Sequence, residues 1–196
     1  MELKKLPKIA LGAWAWGNDG TFGGSLSADD LRPVFEAGMK AGLNLWDTAY
    51  AYGMGASERV LGDFIKGYPR EDVILSDKFT PQCADPSAEN AVTELSLLNR
   101  SSEISGILDY CKEKDITFFS YMVLEQGALS GKYDTGHPFP ADSDRGAVYN
   151  PMLPQLEKLN ACLKEIADAH GAAAAQEPVA WAIAKGTLPI LGVTKL

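Results

Sequence analysis

The 196-residue sequence predicts an α/β protein built on a parallel sheet, and three observations carry that expectation. Short apolar runs alternate along the chain with stretches whose apolar positions recur at helical spacing. The strand runs, such as VILS and LPIL, are brief and apolar, as strands covered on both faces are. The segments between them mostly hold a helix, which is how parallel strands are joined. A chain of this length buries about 70% of its unfolded surface, so residues 1–196 are expected to form a single domain.

The elements follow in order. KIALGAWAWG is the first apolar run. In LSADDLRPVFEAGMKAG, Ser27 is placed to cap a helix with Leu31, Val34, Phe35 and Met39 on one face, and Gly42 closes it. LNLWDTA reads as a strand, SERVLGDFIKG as a short helix capped by Ser57, and DVILSDKF as a strand with the β-branched pair Val73 and Ile74. After FTPQCADPSAEN, a helix-free link at about the minimum length for a crossover, AVTELSLLN reads as strand and SSEISGILDYCKEKD as helix. ITFFSYMVL is the next strand. GKYDTGHPFPADSDRGAVYNPMLP, rich in Gly, Pro and Asp, is expected to be a long surface loop. PQLEKLNACLKEIADAHG and QEPVAWAIAKG are helices, with Pro178 tolerated in a first turn, and LPILGVT is the last of six strands.

Composition excludes several function classes. A formal charge of −8 disfavours a sequence-independent hold on nucleic acid or anionic lipid. No apolar run reaches the roughly 18 residues of a membrane span, and the N-terminus has no export signal, so a cytoplasmic protein is expected. Cys83, Cys111 and Cys162 are odd in number and widely spaced, which fits reduced thiols; with only His137 and His170 beside them, no metal-ligand spacing appears.

The chemistry concentrates in DTAYAYGMGASE. Asp47 ends one strand, Tyr52 lies in the following loop and Lys78 ends the next strand, so all three are expected at one rim of the sheet, where ligands meet parallel β/α folds. A phenol with an ordinary pKa of about 10 donates a proton at neutral pH only if a cation lowers that value. Lys78 supplies the cation and Asp47 holds it, a relay suited to protonating a carbonyl oxygen as hydride arrives at carbon. The same residues also suit a loop cap, a half-buried ring and a surface charge, and spacing alone does not choose.

Five blocks in order, GAWAWG, LNLWDTAYAYGMGASERVLG, VILSDKF, SLLNRSSEISGILDYCKEKDITFFSYMVLEQGALSGKYD and HGAAAAQEPVAWAIAKGTLPILGVTK, resemble the aldo-keto reductase family over most of the chain. The resemblance implies a TIM-type (β/α)8 barrel that binds NADP(H) and reduces aldehydes or ketones. Asp47, Tyr52 and Lys78 match the family's catalytic Asp, Tyr and Lys, with Tyr52 as the acid. Tyr121 matches the aromatic stacked on the nicotinamide, and Leu124, Gln126, Gly127 and Leu129 match the loop along the pyrophosphate, where backbone N–H groups do the binding. Lys195 matches a residue near the adenosine 2′-phosphate, and Trp14 and Trp16 are expected to line the substrate pocket.

The sequence also departs from the family. Nothing aligns with its catalytic histidine, and neither His137 nor His170 replaces it. Roughly two β/α units are missing before SLLNRSSE, together with the family's Ser-Asn pair and Gln, where this chain has Val92 and Thr93. The sequence stops after Lys195 and Leu196, short of the family's Arg-containing segment and final helix. An incomplete or reduced barrel of about six parallel strands is therefore expected, since strand number and stagger are linked, with two open edges that invite pairing with a second copy. These losses weigh against turnover, and the alternative to a carbonyl reductase is a non-catalytic remnant or engineered fragment of the barrel.

Overall fold

The computed structural model describes residues 6–23, 25–78 and 95–195. Two compact units emerge, one from residues 1–91 and 190–196, the other from 92–189. Among the described residues five strands form, all paired in parallel.

In the first unit, β1 (Ala10–Gly12), β2 (Leu45–Asp47) and β3 (Ile74–Ser76) lie in the order β3-β2-β1, with α1 (Ala28–Lys40) and α2 (Ala56–Ile65) as crossovers. The end of β5 (Leu188–Gly192) pairs with the free side of β1, from Ala10 opposite Ile190 to Gly12 opposite Gly192. Helix α1 starts as expected: Ser27 accepts from the Asp30 N–H, and Asp30 reaches back to the Ser27 N–H at 2.9 Å. Its apolar face joins Leu31 and Phe35 to Trp16, Trp46, Leu61, Phe64 and Val73 in one core. Phe35 and Trp46 lie 4.8 Å apart between ring centres, and Trp16 and Trp46 5.3 Å.

Ser57 does not cap α2. The cap position is Gly55, and the Ser57 hydroxyl is fully buried, donating to the Ala13 carbonyl at 2.7 Å and lying 2.9 Å from Thr48 Oγ1. A hydroxyl this deep serves two buried partners and has none left for the helix end.

In the second unit, β4 (Phe119–Ser120) pairs with the start of β5 through Leu188 and Pro189. The stretch expected as one helix over 101–115 is two, α3 (Ser101–Ile104) and α4 (Ile107–Glu113). Gly106 at φ 81° separates them, a conformation that ends a helix. The expected loop after Lys132 contains α5 (Asp144–Tyr149), with Ser143 accepting from the Gly146 N–H. It leads into α6 (Leu153–His170), which ends on Gly171, and then α7 (Gln176–Ala184). Phe139, Tyr149, Leu153, Leu156 and Ala128 form the core here.

The strand expected in AVTELSLLN does not form over 95–99; residues 91–94, the link 79–90, Val92, Thr93 and Cys83 lie outside the described residues. Ser96 explains the difference. Its hydroxyl accepts from the Leu98 and Asn99 N–H groups, and its own N–H donates to the Asn99 carbonyl, so a side-chain-closed turn competes with the ladder. Among the described residues no helix is long and apolar enough to cross a membrane.

Candidate active site

The register of β2 and β3 assembles the cluster in the first unit. Asp47 is opposite Ser76 in adjacent parallel strands. Alternate residues along an extended segment share a side, so Ser76 and Lys78 both reach Asp47. Lys78 Nζ lies 2.6 Å from Asp47 Oδ1 and donates to the Thr48 carbonyl at 2.8 Å. The Asp47 side chain is 5% exposed and that of Lys78 45%, so the carboxylate is enclosed while the ammonium keeps a wet side.

Tyr52 meets this pair from the loop. The Lys78 ammonium is 5.1 Å from the centre of the Tyr52 ring. Trp14 stacks on Tyr52 with ring centres 5.5 Å apart and planes 17° from parallel, and Phe22 meets Trp14 edge-on at 5.2 Å. Two glycines make the approach feasible. A Cβ on Gly17 would lie 2.6 Å from the Tyr52 carbonyl oxygen, and one on Gly53 would lie 2.7 Å from the Gly17 carbonyl carbon, so the turn at 14–17 and the Tyr52 loop touch backbone to backbone. The Trp14 indole N–H donates to Asp19 at 2.8 Å.

Trp16 does not line a pocket. It is 1% exposed in the core, and its indole N–H donates to the Val193 carbonyl at 2.8 Å. The 3-10 turn Trp14–Gly17 puts its two tryptophans to different uses, one half-buried against Tyr52 and one inside. Lys195 is exposed at the end of the described chain.

In the second unit, Tyr121 is half-buried directly after β4, and its carbonyl accepts from the Leu95 N–H at 3.2 Å. The turn that follows has three consecutive residues at positive φ: Glu125 at 47°, Gln126 at 51° and Gly127 at 105°. Its backbone N–H groups are used internally. Gly127 N and Leu129 N both donate to the Leu124 carbonyl, at 2.9 and 3.1 Å. The Leu129 side chain is fully buried. The turn is pinned by Glu125, buried at 5% exposure, which accepts from Tyr149 OH at 2.7 Å and from Ser96 Oγ.

One cation beside this turn escapes the sequence reading. The Arg145 guanidinium sits 5.3 Å from the Phe139 ring centre and 5.5 Å from that of Tyr133, and it donates to the Gln126 carbonyl at 3.3 Å. An arginine inside a Pro- and Gly-rich stretch was the available signal, and α5 is what aims it. Among the described residues no three His, Cys, Asp or Glu side chains gather as a metal site. His137 is exposed and pairs with Asp134 at 3.1 Å, while His170 ends α6.

The profile of the aldo/keto reductase family matches residues 8–100 and 92–196, nearly the whole chain. The chain belongs to the aldo/keto reductase family. It is 28% identical to the chloroplastic pyridoxal reductase of Arabidopsis thaliana, covering 94% of this chain and 74% of that protein. That alignment runs over 274 positions, more than the 196 residues available, so the relative has segments without a counterpart here. The chain covers 32% and 21% of the length of two further curated relatives.

Two solved structures show that the fold is the family's. A glycerol dehydrogenase from Gluconobacter oxydans superposes with a TM-score of 0.77 at 18% identity, over 98% of this chain and 84% of its own. An aldo/keto reductase from Klebsiella pneumoniae, solved with NADP and acetate, gives 0.65 at 18% identity, over 97% and 82%. The five parallel strands among the described residues of this family member are those of an incomplete β/α barrel.

Proposed function

We propose that this aldo/keto reductase family member reduces a small aldehyde or ketone with NADP(H), Tyr52 giving the proton to the carbonyl oxygen. The observation that carries the reading is the Asp47–Lys78 pair, its carboxylate enclosed and its ammonium 5.1 Å from the Tyr52 ring centre. Asp47 holds the Lys78 ammonium in place. The ammonium favours the phenolate left behind when Tyr52 gives up its proton, and the phenolate takes its next proton from solvent. Trp14, stacked on Tyr52, restricts the ring and forms the apolar wall against which a substrate settles.

NADP(H), when bound, supplies the hydride. In the second unit, Leu124, Gln126 and Gly127 would border it, Tyr121 would offer a ring face, and Arg145 would supply positive charge for its phosphates. The residues fit such a group in two respects: a guanidinium fixed on two rings beside the turn, and consecutive left-handed residues of the kind that cluster at ligand clamps. The chloroplast relative named for pyridoxal and the Klebsiella structure holding NADP are consistent with an aldehyde substrate and this cofactor.

The reading of a non-catalytic remnant has its own support. The Gly127 and Leu129 N–H groups are spent on the Leu124 carbonyl, which removes donors a pyrophosphate would use. Titrating the protein with NADPH by nicotinamide fluorescence separates the two readings. Saturable binding, weakened about tenfold by Arg145→Ala, together with aldehyde reduction that Tyr52→Phe abolishes without disturbing the titration, is expected. No saturation up to millimolar cofactor selects the remnant.

A further inference from the structure

Asp47 has a second oxygen, and a second side chain holds it. Ser76 Oγ donates to Asp47 Oδ2 at 2.8 Å, while Oδ1 takes the Lys78 ammonium at 2.6 Å. The arrangement is fixed by the sheet. Asp47 and Ser76 are register partners, the Thr48 N–H donates to the Ser76 carbonyl at 2.9 Å, and Lys78 follows Ser76 by two residues on the same side. The terminal torsion of an aspartate is broad and roughly two-fold, so a carboxylate gripped at one oxygen alone can turn about its Cβ–Cγ bond. Gripping both oxygens removes that freedom.

We infer that Ser76 is a positioning residue for the Asp47–Lys78 pair: its hydroxyl orients the carboxylate so that one oxygen faces the ammonium. Lys78 has another acceptor in the Thr48 carbonyl. Without Ser76 the ammonium keeps that carbonyl, but its carboxylate partner is no longer held in one orientation, and the wet side of Lys78 opens to reagents. Asp77 does not substitute, because its Oδ1 accepts from the Lys78 backbone N–H at 2.8 Å. The inference rests on the reading that Asp47 and Lys78 act together, yet its test needs no turnover.

Pulse acetylation with acetic anhydride, read by peptide mass spectrometry, measures how fast Lys78 reacts in the wild-type chain and in Ser76→Val, Ser76→Thr and Asp47→Asn. Val and Thr share a shape and differ in the hydroxyl. Lys66 and Lys164, paired on the surface with Asp63 and Asp168, serve as internal references. Ser76→Val is expected to label about threefold faster or more at Lys78 alone, with Ser76→Thr at the wild-type rate and Asp47→Asn faster still. Equal rates for Val and Thr, with Asp47→Asn fast, overturn the role of Ser76 and leave the ion pair standing. An Asp47→Asn rate equal to wild type overturns the pair and the inference together. If Ser76→Val unfolds, all lysines accelerate in parallel, and the comparison passes to Ser76→Ala against Ser76→Thr under the same criteria.

Discussion

Replacing Gly53 by alanine tests whether the Tyr52 loop is held by backbone contact. Gly53 has φ 65°, so alanine there costs about 1–2 kcal/mol for the left-handed conformation alone. Its Cβ would also lie 2.9 Å from Gly17 Cα and 2.7 Å from the Gly17 carbonyl carbon, both backbone atoms that no rotamer change can move. Forcing a methyl group into such a contact adds about 1–3 kcal/mol. The expected loss is about 2–5 kcal/mol, which at this chain length lowers the melting temperature by about 4–20 °C. Gly42→Ala is the control: it has φ 76° but nothing within 4 Å of its Cβ, so only the conformational part applies. Urea unfolding followed by tryptophan fluorescence suits the comparison, because Trp14, Trp16 and Trp46 all belong to the unit being perturbed. A Gly53→Ala variant no less stable than Gly42→Ala shows that the loop yields and that the close approach does not position Tyr52.

Three further outcomes follow from other contacts. Ser57→Ala leaves the Thr48 hydroxyl without its buried partner and the Ala13 carbonyl with the Trp16 N–H alone, and should cost about 1–3 kcal/mol in the same urea assay. Tyr149→Phe removes one of two hydroxyl donors to buried Glu125 and should cost a similar 1–3 kcal/mol, roughly the penalty for under-satisfying a buried carboxylate; unchanged stability would show that water enters there. Glu103 is held below the ordinary glutamate value of 4.5 by its hydrogen bond from Lys185 and then by that from Arg100. With the folded value the lower one, its contribution is fully present above pH 4.5 and is lost as pH falls through the folded value. Glu103→Gln should therefore be less stable than wild type at neutral pH and converge with it in acid; a constant gap across that range removes the ion pairs as the cause.

Strand order and strand ends are what made the candidate site legible. Asp47 and Lys78 each follow an apolar run, and parallel register does the rest, so local pattern was enough to bring a carboxylate and an ammonium together. Side-chain direction was harder. Ser57 has the residue type of a cap but points into a buried network, because Ala13 and Thr48 offer partners that no local rule anticipates. Trp14 and Trp16 are two residues apart and look equivalent as letters; only the 3-10 turn separates a ring against Tyr52 from one in the core. The turn at 124–129 shows the same limit, since its N–H groups close on Leu124 through left-handed residues of which two, Glu125 and Gln126, are not glycine. Helix α5 and Arg145 were hidden by a composition that reads as loop, and the break at Gly106 by an otherwise continuous helical period.

The contact between Gly17 and Gly53 also constrains how this chain can change over generations. A side chain at Gly53 is blocked by the Gly17 main chain, and one at Gly17 by the main chain of Tyr52 and Gly53, so a substitution at either is tolerated only if the two turns separate, and separation displaces the aromatic stack built on them. Positions 17 and 53 should thus drift together or not at all, and descendants that have abandoned both glycines should also have abandoned the Trp14–Tyr52 pairing.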